Sequence, residues 1–337
     1  MKPRIAVSMG DFNGIGPEVI LKAFKHIDFT DSIPVLIGHA DVFQFYDRQV
    51  NSGLSFNGIT TMDLLSDEAG MINIINITNE QPVSPVPGDI ESTAGSLSML
   101  AVKTGIDLCL SGDTDAIVTA PISKEAIHKA GYHYPGHTEF LAEKSSTETV
   151  QMILVNEALR VALATIHIPV KDIPSYLTTG LIDKQIGLLD HCLKSDFGIH
   201  NPHIAVLGLN PHAGDGGVIG TEEPEIIQPA IDAAAGRNIR VKGPFPADGF
   251  FGNQTYKNYD AILAMYHDQG MIPFKTLSFG SGVNFTAGLP FIRTSPDHGT
   301  GYDIAGKNRA SELSFKAAYD LAVNMVLNKT TTDERNG

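Results

Sequence analysis

The chain has 337 residues and a net charge of −14, an acidic balance that excludes nucleic acid or an anionic membrane as its main partner but not a small anion held by a local cluster of cations. Hydrophobic residues make up 42% of it, enough for a sizeable core, and the length suits two domains or one large α/β domain. No apolar run reaches the roughly 18 residues of a membrane span, the N-terminal apolar run is too short for a signal peptide, and two isolated cysteines, Cys109 and Cys192, form no disulfide framework, so a reducing cytoplasm is the expected location.

In chain order, Ile5-Ala6-Val7 predicts a short buried strand. The loop GDFNGIGPE, 10–18, follows and leads into a helix to about residue 27. Pro17 suits that helix's first turn, where a missing N–H costs nothing. A glycine loop between strand and helix either turns the chain tightly or offers N–H groups to an anion. Its spacing is neither the dinucleotide fingerprint nor a Walker loop, and both readings stand. A strand is expected at 34–38, a helix at 41–50, strand-like pieces within 55–87, and a loop at 82–88. A helix over 92–110 has Gly95 near its start for close packing, and 115–120 reads as another buried strand. Ser123 is placed to cap the next helix; Lys124 beside it is either solvated or aimed at a ligand.

Gly136 opens a further helix, and the apolar runs 149–155 and 159–166 flank Asn156-Glu157 as in a hairpin. A long helix is expected over 179–196, a strand over 203–209, a helix over 222–235 and a loop over 243–248. The apolar run 261–265 is the last clear strand. A final helix over 310–328 precedes a tail, 330–337, expected to fray. Strands alternating with helices predict an α/β fold, with two α/β/α domains and mixed, mostly parallel sheets. The first domain is expected over 1–125 with 290–330, the second over 126–289.

Chemistry-bearing residues concentrate in 260–307. His267, Asp268, Lys275, Asn284, Arg293, Asp297, His298 and Asp303 fall there among glycines and prolines. In open α/β sheets the carboxyl ends of strands bind ligands. Three histidines sit at or just past such ends: His167 in ALATIH, His212 in AVLGLNPH and His267 in AILAMYH. One alone would be an ordinary hydrogen-bonded residue. Three at one edge suit a divalent ion such as zinc or cobalt, with positions open for substrate. Lys275 and Arg293 can meet a phosphate or carboxylate, or else form surface salt bridges. His137 and Thr138, at a helix start, can add hydrogen bonds to the same anion, and Asn284 can orient a polar group.

The segments GHTEF (136–140), LGLNPHAGDGG (207–217), GTEE (220–223), LAMYHDQG (263–270) and GVNFTAGLPFIRTSPDHGT (282–300) resemble the 4-hydroxythreonine-4-phosphate dehydrogenase family of pyridoxal phosphate biosynthesis. The likeness runs over essentially the whole chain. It implies an isocitrate/isopropylmalate dehydrogenase-like fold and a homodimer, with the active site in the interdomain cleft and shared across the subunit interface. His167, His212 and His267 would hold the metal (zinc, magnesium or cobalt), one of them supplied by the partner subunit. His137, Thr138, Lys275, Asn284 and Arg293 would bind a phosphorylated substrate. The segment 297–307, with Asp297, His298, Gly299 and Asp303, is similar to the loop that takes the adenosine side of NAD or NADP in the decarboxylating dehydrogenases. The reaction implied is oxidation of 4-phosphooxy-L-threonine to 2-amino-3-oxo-4-phosphooxybutanoate, followed by decarboxylation to 3-amino-2-oxopropyl phosphate.

Lys275, Asp248 and a metal-bound water all remain open as the general base. The family usually has Pro-Ala where Phe12-Asn13 stand and often alanine at Gly301, which leaves the NAD versus NADP preference open. Three competing functions are a paralogue acting on D-threonate or D-erythronate 4-phosphate, a metal-dependent hydrolase or acyltransferase, and a non-catalytic phosphate-ligand sensor. Asp248 or Asp268 near the substrate's C2 would favour an amine over a hydroxyl.

Overall fold

Apolar runs bounded by glycine and proline become strands, and the longer amphipathic stretches between them become helices. The computed structural model describes residues 2–68, 70–78, 82–278 and 280–336, with side chains as far as Lys329. In chain order these are β1 (Arg4–Ser8), α1 (Gly16–Phe24), β2 (Ile33–Gly38), α2 (Ala40–Val50), β3 (Ser55–Ile59), β4 (Met71–Asn76), α3 (Ser92–Ser111), β5 (Ala116–Thr119), α4 (Lys124–Lys129) and α5 (His137–Lys144). Then follow β6 (Gln151–Val155), β7 (Arg160–Leu163), α6 (Ile173–Tyr176), α7 (Thr179–Ser195), β8 (His203–Leu207), α8 (Gln228–Gly236), β9 (Arg240–Phe245) and α9 (Ala247–Gly252). The last are β10 (Ala261–Ala264), α10 (His267–Ser278), β11 (Val283–Ala287), β12 (Ile292–Pro296) and α11 (Leu313–Asn336). No described helix is long and apolar enough to cross a membrane.

The chain divides into two compact units, Met1–Val150 with Leu289–Leu327, and Gln151–Gly288 with Asn328–Gly337. Residues 126–150 thus group with the first unit rather than the second. The packing reason is local: a Cβ on Gly95 of α3 would lie 2.2 Å from the Ala126 carbonyl oxygen. Only glycine lets α4 approach α3 so closely.

In the first unit the described strands run β3-β4-β2-β1-β5-β12, every neighbouring pair parallel. Ile5, Ala6, Val7, Val35, Leu36, Ile117 and Val118 are fully buried, as continuous apolar strands under helices should be. The order reverses at β1 and β5, the kind of switch point where such sheets take ligands. In the second unit the order is β11-β6-β7-β10-β8-β9. β11, β6 and β7 pair antiparallel, and β7, β10, β8 and β9 pair parallel. The expected hairpin joins β6 to β7, closed by Asn156 N–H to Leu159 O at 3.0 Å.

Three stretches differ from expectation. Residues 243–248, expected as a loop, divide between β9 and α9; β9 lies at the end of the strand order, where Pro244 is tolerated. Residues 267–278 form α10 in spite of Pro273 and Gly270. Tertiary packing outweighs their poor propensity: Phe274 is fully buried, and a Cβ on Gly270 would meet Leu163 at 2.6 Å and Val161 at 2.8 Å. Finally, α11 runs on to Asn336, past the expected end at residue 328 and into the tail expected to fray; Gly337 lies outside the described residues.

Candidate functional site

In the first unit the central feature is a buried cation. Arg293 lies on β12, opposite Ile117 of β5, and is 2% exposed. Its Nε and Nη2 donate to the Thr119 hydroxyl at 3.1 and 2.7 Å. Burial opposes its charge and brings its pKa down to about 9, still cationic at neutral pH. His137 opens α5. Burial, and then the positive charge of Arg293, hold its imidazole well below the usual histidine range. The ring is therefore neutral, and its Nε2, shut away from solvent, has no hydrogen-bond partner among the described residues. A buried polar atom left this way costs free energy unless a ligand supplies the partner. An anion would do so, and would favour the protonated ring. Thr138, half-buried, follows on the same helix.

The glycine loop 10–18 resolves as structure rather than as an anion cradle. Every residue of it is buried. Asp11 N–H donates to Pro121 O, Gly14 N–H to Asp11 O and Ile15 N–H to Thr300 O, while Asn13 N–H is held by the Asp11 carboxylate. Tyr302 donates to Asp11 Oδ2 at 2.8 Å, and Tyr46 reaches the carbonyls of Phe12 and Gly14. Asn13 accepts from Val86 N–H and donates to Asp89 O. The Phe12-Asn13 pair is thus part of this knot. Lys124 is exposed and solvated, while Ser123 caps α4 at Ala126 N–H as expected.

Of the residues expected on the cofactor side, Asp297 is tied to Ser314 by its N–H and its carboxylate. His298 leaves a buried Nε2 without a partner among the described residues. Gly299 and Asp303 are exposed. Free hydrogen-bonding capacity at His298 and an open carboxylate at Asp303 suit a nucleotide's hydroxyl and amine groups.

In the second unit the three histidines leave neighbouring strands. His167 follows β7, His267 follows β10 and His212 follows β8, in the sheet order β7-β10-β8. The His167 and His267 rings stand 6.1 Å apart between centroids. Two imidazoles sharing an ion at about 2.0–2.1 Å have centroids roughly 5–6 Å apart, so this pair stands slightly wider than a bound pair would. His267 Nδ1 bonds Asp268 Oδ1 at 2.7 Å, a carboxylate–histidine contact that leaves Nε2 as the nitrogen available to an ion. His212 is carried on a left-handed run, His212 to Gly216, with φ between 45° and 77°. No cluster of three or more histidine, cysteine, aspartate or glutamate side chains stands at ligating distance among the described residues. The chain therefore brings two of the three expected ligands together.

A cavity of about 890 Å³ opens beside His212, walled by Phe251, Tyr256 and Ile272, with Asp248 and Asp268 both on its rim. Lys275 is exposed on the last turn of α10 and forms no ion pair among the described residues. Asn284, half-buried on β11, has a buried Oδ1 without a partner there. Thr119 was not singled out from the sequence. A threonine at a strand end is too common a pattern to flag.

Comparison with known proteins follows the same line. Residues 30–322 match the family described as "Pyridoxal phosphate biosynthetic protein PdxA". A 4-hydroxythreonine-4-phosphate dehydrogenase of Prosthecochloris aestuarii is 47% identical, covering 96% of this chain and 97% of that protein. A D-threonate 4-phosphate dehydrogenase of Salmonella typhimurium is 40% identical over 95% of this chain and 98% of its own length. The crystal structure of a 4-hydroxythreonine-4-phosphate dehydrogenase from Klebsiella pneumoniae superposes with a TM-score of 0.86 at 39% identity, covering 96% of this chain and all of that one. On a match spanning most of its length, this chain belongs to the PdxA family of pyridoxal phosphate biosynthetic proteins.

Proposed function

We propose that this protein is an NAD(P)-dependent dehydrogenase that oxidises the secondary alcohol of 4-phosphooxy-L-threonine. The product, 2-amino-3-oxo-4-phosphooxybutanoate, loses carbon dioxide to give 3-amino-2-oxopropyl phosphate in vitamin B6 biosynthesis. The observation that carries this reading is the buried Arg293 beside a neutral, partnerless His137 in a PdxA-family chain. Such a pair asks for a small dianion, and a phosphate ester supplies one.

Each residue then has a task. Arg293, His137 and Thr138 hold the phosphate, and Lys275 and Asn284 bind the remainder of the substrate. His167, His212 and His267, one of them from the partner subunit, would hold a divalent cation, zinc, magnesium or cobalt, and Asp297, His298, Gly299 and Asp303 would take the nucleotide. When bound, the cation would supply Lewis-acid polarisation, and a nicotinamide would supply hydride-accepting capacity. Lys275 or Asp248 accepts the hydroxyl proton. Asp248 and Asp268 face the same cavity as His212, and two carboxylates there favour an ammonium at C2 over a hydroxyl. That favours the amino-acid substrate over threonate or erythronate 4-phosphate.

A homodimer that shares this site fits the surface. Each histidine turn is followed by an exposed aliphatic side chain: Val170 at 76%, Val218 at 82% and Ile272 at 63% exposure. Large apolar side chains left open to solvent are what a second subunit can cover. The partner would bring the third histidine. Light scattering on the purified protein checks this, with a dimer expected.

The function is tested by reduction of NAD and NADP with 4-phosphooxy-L-threonine, D-threonate 4-phosphate and D-erythronate 4-phosphate. Fastest turnover of the amino acid supports the proposal. A sugar-acid phosphate preferred by more than tenfold in kcat/KM, about 1.4 kcal/mol, moves the protein to the catabolic branch. No reduction with any of them ends the dehydrogenase reading.

A further inference from the structure

Asn13, where the family usually has alanine, is fully buried in the first unit. Its Oδ1 accepts from Val86 N–H at 2.8 Å. Its Nδ2 donates to Asp89 O at 3.1 Å and to Glu91 Oε2 at 3.4 Å. Its carbonyl accepts from Gly88 N–H at 2.8 Å. The stretch 85–91 contains neither strand nor helix, so its backbone groups depend on partners of this kind. An alanine at position 13 would keep the Gly88 bond and lose the other three.

The loop 85–91 packs in turn on the segment 297–307. A Cβ on Gly306 would lie 2.7 and 2.8 Å from Cβ and Cγ of Pro87, and one on Gly88 would lie 3.3 Å from Tyr302 O. The glycine loop holds the same segment independently. Ile15 N–H donates to Thr300 O at 2.8 Å, a Cβ on Gly14 would lie 2.7 Å from that oxygen, and Tyr302 donates to Asp11 Oδ2 at 2.8 Å. Within the segment, Ile304 N–H bonds Gly301 O and Lys307 N–H bonds Ile304 O, a run of tight turns whose placement rests on these two neighbouring loops. Asn13 ties the two loops to each other.

We propose that Asn13 is a positioning residue for the nucleotide: by clamping loop 85–91 to the glycine loop, it fixes the turns of 297–307 that would receive the cofactor. The groups it would keep in place are His298 Nε2, buried and without a partner among the described residues, and the exposed carboxylate of Asp303. Binding groups serve only when held within about 0.5 Å of their productive positions, which is the work of the residues behind them. An amide suits this task because it accepts from one point of the loop and donates to two others. The proposal rests on the nucleotide reading given above.

The test is calorimetric titration of the full-length protein with NADH and with NADPH, and with inorganic phosphate as a control on the site of Arg293. N13A installs the residue usual in the family. Circular dichroism and thermal melting establish that it is folded. Expected is an affinity for the nucleotides that the wild type binds weaker by about fivefold or more, with phosphate affinity unchanged and hydrogen exchange faster in the peptides covering 85–91 and 297–307. In turnover the KM for NAD should rise, while kcat and the KM for 4-phosphooxy-L-threonine stay as in the wild type. A folded N13A with wild-type nucleotide affinity overturns the proposal. So does one that loses phosphate affinity in equal measure, the mark of a general loosening. If N13A does not fold, N13D carries the same test, because it keeps the acceptor for Val86 N–H and removes the donor to Asp89 O and Glu91. A wild type that binds neither nucleotide overturns the nucleotide reading and this proposal together; loss of the proposal alone requires a wild type that binds and variants that bind equally.

Discussion

Two glycine-rich loops leave strand ends in this protein, and they do opposite things. The loop 10–18 is buried throughout, and Asp11, Asn13, Gly14 and Ile15 find partners in Pro121, Thr300, Tyr302 and one another, although Glu18 Oε2 has none among the described residues. The loop 210–217 lies largely exposed, in a left-handed run, and carries His212 to the mouth of a cavity. Their sequences, GDFNGIGPE and NPHAGDGG, look equally fit to receive a ligand. What separates them is burial: the first is closed over by its neighbours, whereas most of the second stands open to solvent beside the cavity. A loop with partners for its donors and carboxylates holds the fold together. A site keeps some unsatisfied, as at His137 Nε2, Asn284 Oδ1 and His298 Nε2.

The largest expected effect is on the unsatisfied side. R293M removes the buried cation beside His137, and kcat/KM for 4-phosphooxy-L-threonine should fall about a thousandfold, about 4 kcal/mol. The melting temperature should stay within a few degrees of wild type, since exchanging a buried charge for an apolar side chain is often neutral. A large loss of stability with activity intact would place Arg293 with the structural loop instead.

Next come paired glycine substitutions. Gly10 has φ +69° and a Cβ there would meet Pro121 O at 2.5 Å; Gly216 has φ +66° and open space around it. G10A should therefore cost about 3 kcal/mol or more, from clash and strain together. G216A should cost about 1 kcal/mol, from strain alone. Denaturant titration of the two variants checks the ordering, and equal losses would dissolve the distinction between the loops.

Y302F removes the phenol that donates to Asp11 Oδ2. Burial already raises the Asp11 carboxyl pKa, so losing that donor should cost about 1–2 kcal/mol in denaturant titration. Cobalt affinity should not change, because the loop takes no part in the metal site.

The smallest effect is a pH slope. His137 has a native pKa well below the ordinary 6.5. The unfolded chain therefore binds a proton that the native protein refuses, and native stability falls as pH drops through the ordinary imidazole range. Replacing His137 with glutamine should flatten that part of the profile. Inorganic phosphate, by favouring the protonated ring, should flatten it in the wild type as well. Thermal melting between pH 5 and pH 8 reads both, given the ordinary imidazole pKa of about 6.5.

The strands of this fold were legible because runs such as Ile5-Ala6-Val7 and 261–265 are apolar without interruption, and the hairpin at Asn156 was legible from its turn. α10 was not, because Gly270 and Pro273 speak against a helix; its stability comes from Val161, Leu163 and the buried Phe274, contacts far away in sequence. β9 was hidden by Gly243-Pro244 for the same kind of reason. The three histidines stand out in the sequence by recurring after apolar runs, and their motifs carried the family resemblance. The burial of Arg293 and its bond to Thr119 did not show, since that bond joins side chains 174 positions apart. Periodicity reports which residues share a face; it does not report which distant polar groups satisfy each other.

The most direct measurement is product analysis by mass spectrometry on the metal-replete protein given 4-phosphooxy-L-threonine and NAD, alongside a chelator-treated sample. The account predicts 3-amino-2-oxopropyl phosphate and one carbon dioxide for each NADH, and none of the three after chelation. Turnover that persists without metal, or a phosphorylated product formed with no NADH, would contradict it.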